Sequence, residues 1–145
     1  MEKLKTSETE RKVKPGLQVG QFEKIACCGF GDSGNSYPHA MAWFNQYLYV
    51  GTTRHVLALL YNRWEELRKW KVFPVRYAKE DIFKEFDIRG QIWRYSPVRE
   101  KWERVLISPV IEKSDERKIP LFQGFRNMIV YRTEEDEKEM LYCLT

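Results

Sequence analysis

Tyr95-Ser-Pro-Val-Arg-Glu-Lys-Trp102 is the stretch on which the fold turns. It follows a short apolar run, Gly90-Gln-Ile-Trp-Arg94, and leads into another, Glu103-Arg-Val-Leu-Ile107. A Tyr ends one strand, a Pro-bearing turn reverses the chain, and a Trp opens the next strand, so the segment reads as a hairpin.

Outward from it, the same period recurs. Upstream, His39-Ala-Met-Ala-Trp-Phe44 and Tyr47-Leu-Tyr-Val-Gly-Thr52 read as strands joined by a tight turn at Asn45-Gln46. Tyr47 and Tyr49 fall on one face, Leu48 and Val50 on the other. Downstream, Phe125–Arg132 and Met140–Thr145 read as strands around an acidic turn, Thr133–Glu139. The period changes over residues 53–70, where Val56, Leu57, Leu60, Trp64 and Leu67 recur at helical spacing, predicting a helix inserted between strands. Val72-Phe-Pro-Val75 reads as an edge segment and Asp81–Phe86 as one or two helical turns. A loop carries Pro109 and Pro120. Residues 1–20, polar and closing near Pro15-Gly16, read as a disordered tail, leaving 21–145 as the β domain.

Two segments repeat. Ala40-Met-Ala-Trp-Phe-Asn45 aligns with Asn127-Met-Ile-Val-Tyr-Arg132, and Tyr47-Leu-Tyr-Val-Gly-Thr52 with Met140-Leu-Tyr-Cys-Leu-Thr145. The offset of about 87 to 93 residues is roughly twice a propeller blade period, and the helical insert accounts for the excess.

With its repeat and its Tyr95-to-Trp102 hairpin, the chain resembles a Kelch-type β-propeller. The resemblance implies an all-β, propeller-like fold with strands at about 39–44, 47–52, 91–95 and 102–107. Blade one then spans about 37–107, and blade two starts at about 123–145. Tyr95, Pro97 and Trp102 are the fold signature, with Ser96 where the family often has Asp. The family's Gly pair at the end of strand two is replaced by Gly51-Thr52 and Leu144-Thr145. Propellers close rings of four to eight blades, so the expectation is a piece of a larger propeller. Capping by helix and tail, or self-association through an open sheet edge, are the alternatives.

Composition sets the remaining limits. A net charge of +4 over 145 residues is mildly basic, short of the concentrated stripe of a dedicated nucleic-acid binder. No apolar run approaches the roughly 18 residues of a membrane span, and no secretory signal opens the chain. The expectation is a cytoplasmic protein with reduced thiols at Cys27, Cys28 and Cys143.

Candidate chemistry is sparse. Gly29–Pro38 lacks the Lys-Ser/Thr and helix of a P-loop and reads as a plain loop. His39 and His55 are the only histidines, and with Cys27 and Cys28 they lack metal-ligand spacing. Cys27 and Cys28 read instead as small buried hydrophobes. No metal, cofactor or catalytic residue is expected. Arg54, Arg63, Arg68 and Lys69 read as a basic, solvated helix face, while Arg94 and Arg126 read as stacking on aromatic rings or pairing with a carboxylate. The resemblance implies a ligand face at Ser36, Tyr37, His39, Gln123 and Arg126. The functional expectation is a non-catalytic binding module whose partner is a protein or further propeller blades. An enzyme completed by other blades, and a nucleic-acid binder through the basic helix, are the rival classes.

Overall fold

A computed structural model of the chain describes residues 16, 18–63, 69, 81–112 and 116–145. Alternating apolar positions and well-placed turns build four antiparallel strands in chain order: β1 (Asn35–Phe44), β2 (Tyr47–Arg54), β3 (Gln91–Ser96) and β4 (Lys101–Ile107). The β1–β2 turn holds Asn45 and Gln46 at φ 46° and 64°, the backbone that matches the natural twist of a hairpin. Tyr95 and Trp102 are register partners across β3 and β4, with ring centroids 5.1 Å apart. The Tyr95–Trp102 stretch is therefore the turn of a hairpin.

Two small sheets follow, β5 (Val110–Glu112) with β6 (Ile119–Pro120) and β7 (Asn127–Tyr131) with β8 (Met140–Leu144). Helix α1 (Val56–Arg63) leaves the end of β2, and the single turn α2 (Ile82–Glu85) precedes β3. The Asp81 side chain caps α2 by accepting from Phe83 N–H at 3.0 Å. The molecule is thus mostly antiparallel β, and among the described residues no sheet closes on itself.

Several expectations need correction. β1 begins at Asn35 rather than His39, so the end of the turn-rich loop is strand. It escapes a plain alternation reading because β1 is bulged twice: the register steps from Asn35 to Tyr37 and from Pro38 to Ala40. Pro38 has no N–H to give a ladder, which suits it to a bulge. The β5–β6 hairpin falls within the expected loop; with only two residues in β6 it leaves no period to detect. Cys27 and Cys28 are exposed rather than buried, because the segment carrying them lies over the sheet instead of within it. The helix described here is Val56–Arg63. Trp64, Leu67, Arg68, the edge segment 72–75 and nearly all of the N-terminal tail lie outside the described residues.

The core lies between the two larger sheets. Ala40, Ala42, Tyr49 and Ile92 share one face of β1–β3 by register, and Met128, Leu141 and Cys143 share one face of β7–β8. Phe122 and Phe125 fill between them, their ring centroids 5.8 Å apart. Each large apolar side chain withdrawn from water this way contributes roughly 1.5–3 kcal/mol. Close approach is enforced at Gly51, where a Cβ would stand 2.6 Å from the Phe125 carbonyl oxygen.

The opposite face of β3 and β4 is covered by the chain itself. Phe30 stacks on Trp93 at 5.4 Å and lies 4.4 Å from Trp102. Trp102 Nε1–H donates to the Ile25 carbonyl at 2.6 Å. The strip 25–31 thus roofs the outer half of the sheet and leaves Met41 and Trp43 of β1 exposed.

Candidate functional site

The two bulges of β1 decide where the site is. Ser36 and His39 are the unpaired extra residues, one in each bulge, and a bulge re-aims the side chain it carries. Ser36 Oγ accepts from Val56 N–H at 3.0 Å, serving the first turn of α1. His39 turns toward a cleft of about 340 Å³ between the end of β2, α1, α2 and the loop before β7. Tyr37 meets the His39 ring edge-on at 4.3 Å and is exposed.

Gln123 and Arg126 line the same cleft, as does Arg63 at the end of α1. Four residues chosen from the sequence for two different reasons therefore converge on one cavity. Its other wall is apolar, formed by Val56, Leu59 and Leu60 of α1 with Ile82 and Phe83 of α2. Among the described residues, no carboxylate or thiol lines it. Burial, then the positive charge of Arg126, push the His39 pKa below its ordinary value.

Thr53 was not anticipated. It is 6% exposed, it lines the cleft, and its Oγ1 is buried without a hydrogen-bond partner among the described residues. A buried hydroxyl left unpaired carries a desolvation cost of about 1–3 kcal/mol. Gly124 lies so close that a Cβ there would fall 2.1 Å from that oxygen. Thr53 and Gly124 also share an isolated β-bridge. Neither residue type carries a sequence signal for this, since the contact depends on a loop returning across 71 positions of chain.

Beneath the cleft sits a polar network that fixes the strand ends. Arg54, expected on a basic surface, is instead in β2 and only 7% exposed. Its Nη2 donates to both Asp32 carboxylate oxygens, at 3.0 and 2.8 Å, and its Nη1 lies 3.2 Å from Asp87 Oδ2. Asn35 donates to Gln91 Oε1 at 3.0 Å, and Thr52 donates to Asn35 Oδ1 at 3.0 Å. Arg89 grips Asp87 through Nε and Nη2, each at 2.8 Å, and together with Arg54 holds the Asp87 carboxyl down at about 2. Burial pushes Asp32 up, but hydrogen bonds from Arg54 and Gly34 outweigh it and leave its pKa low.

The remaining predicted residues are placed as follows. Arg94 pairs with Glu103 and lies 4.6 Å over the Tyr47 ring, as its neighbours implied. Arg126 does neither and faces the cleft instead. Lys69 is exposed, and Arg68 lies outside the described residues. Pro97 sits in the exposed β3–β4 turn. His55 packs on Phe86 at 4.6 Å, apart from the cleft. Among the described residues no three His, Cys, Asp or Glu side chains cluster as metal ligands, and no helix is long and apolar enough to cross a membrane.

Comparison with protein families, with curated proteins and with solved structures returned no match to this chain.

Proposed function

We propose that the chain is a non-catalytic binding module of Kelch-like build, and that it holds its ligand in the cleft beside His39. The four-stranded meander and the Tyr95–Trp102 pair support the build. The observation that carries the function is the cleft's composition. Arg63 and Arg126 supply cationic donors, Gln123 an amide, and Thr53 a buried hydroxyl with no partner among the described residues, all opposite an apolar wall. Among the described residues of the lining, His39 has no carboxylate or thiol beside it. Such a lining suits a small molecule with an anionic group and an apolar body.

Calorimetric titration with benzoate, phenyl phosphate and decanoate tests this reading. At least one should bind, and Arg126→Gln should weaken it roughly ten- to a hundredfold, since a hydrogen bond to a charged group is worth about 1.5–3 kcal/mol. Thr53→Val should weaken it less. Binding unchanged in Arg126→Gln, or no binding by any of the three, would count against the cleft as the ligand site.

A further inference from the structure

The repeat gives each sheet two faces that can be compared position by position. Met41, Trp43, Leu48 and Val50 of the first sheet align with Met128, Val130, Leu141 and Cys143 of the second. Ala40, Ala42, Tyr49 and Gly51 align with Asn127, Ile129, Tyr142 and Leu144. In the structure the second sheet presents its Met128 face to the Ala40 face of the first. The internal interface therefore joins two unlike faces of one repeated unit.

Each unlike face has a copy left over. On the first sheet, Met41 and Trp43 are 66% and 58% exposed on the strip of β1 that residues 25–31 do not cover. On the second sheet, Ile129, Tyr131 and Leu144 are more than half exposed, beside Met140 and Tyr142. These leftover faces are positional equivalents of the two that already pack together. The uncovered strip centres on Met41 and Trp43 of β1, with Leu48 of β2 half-buried beside it, and the face that would sit on it is two-stranded. The acidic β7–β8 turn, with Glu134, Glu135 and Glu137, would arrive at the sheet end where the β3–β4 turn carries Arg99 and Lys101 on either side of Glu100.

We propose that these two faces bind each other between copies of this chain, head to tail. The free β7–β8 face of one copy covers the Met41–Trp43 strip of the next, continuing the sheet stacking already present within each copy. Such a contact is heterologous, so it propagates into a ring or an open chain rather than stopping at a symmetric dimer. It uses neither the cleft nor its lining, so it stands or falls apart from the ligand proposal.

Sedimentation of the chain over a micromolar to millimolar range should show concentration-dependent oligomers larger than dimers. Trp43→Asp blocks one face and Ile129→Asp the other. Each variant alone should lose association by more than about tenfold, because a charge would be buried without a partner. Mixed in equal amounts, they should restore a single species, a heterodimer, since each retains the face the other lacks. Circular dichroism checks folding, and Met41→Lys with Tyr131→Lys repeat the test if the first pair fails to fold. A chain monomeric throughout the range overturns the proposal. So does a Trp43→Asp or Ile129→Asp variant that still self-associates like the parent, or a folded pair that fails to complement.

Discussion

At Arg54 a guanidinium inside the fold meets two carboxylates, Asp32 from the loop before β1 and Asp87 from the approach to β3. Removing the cation would leave both carboxylates facing each other across a partly buried space. Arg54→Ala should therefore cost about 3–5 kcal/mol, as for a broken buried pair, measured by urea denaturation. The same carboxylates give the protein an acid limb. A carboxyl whose folded pKa lies below its unfolded value binds fewer protons when folded, so its contribution is complete above the unfolded pKa. For Asp87 that contribution fades as pH falls from the ordinary 3.8 through about 2. The thermal midpoint should drop over that window, and Asp87→Asn should lower stability near neutrality while flattening the drop. An unchanged acid slope in Asp87→Asn would remove Asp87 from this account.

Among the elements, the contact between β2 and the loop before β7 is the tightest. Gly51 faces the Phe125 backbone and the Met128 methyl, which would lie 3.1 Å from an added Cβ. Backbone cannot yield as a side-chain tip can, so Gly51→Val should destabilise by at least about 1–3 kcal/mol through overpacking. A calorimetric scan would show it, and wild-type stability would mean that the two sheets separate more easily than their packing implies. The elements themselves were largely legible in the sequence. Strands β2, β3, β4, β7 and β8 lie within a residue or two of their expected bounds, because alternation and turn chemistry are local. The bulges of β1 and the β5–β6 hairpin were not, since a bulge breaks the period that reveals a strand. Of the site, His39, Gln123, Arg126 and Arg63 were named from sequence and meet in one cleft. Arg54 was misplaced because its position after β2 looked like the start of a solvated helix. Its partners Asp32 and Asp87 lie 22 and 33 positions away and only the fold brings them near.

At the scale of the whole molecule, one sheet-to-sheet contact is satisfied internally and two matching faces are left over. That asymmetry is what turns the repeat into an assembly rule. A large exposed apolar face is unusual on a monomer and marks an interaction surface, and here the sequence repeat says which surface it should meet. The cleft lies at the opposite end of the strands from the acidic β7–β8 turn. Copies joined through their sheets would therefore keep every cleft open on one rim.

The strip 25–31 has a consequence of a different kind. It holds Trp93 and Trp102 under Phe30, with one short hydrogen bond from an indole to the Ile25 carbonyl. Two of the five tryptophans of the chain are thus shaded by a segment also tied by the hydrogen bond that Asn35 Nδ2 donates to the Gly29 carbonyl at 3.0 Å. Were that segment to lift, their indoles would meet water and their emission would move to longer wavelength. The molecule carries its own fluorescent gauge of local opening, one that reads the detachment of a single strip before the fold as a whole gives way.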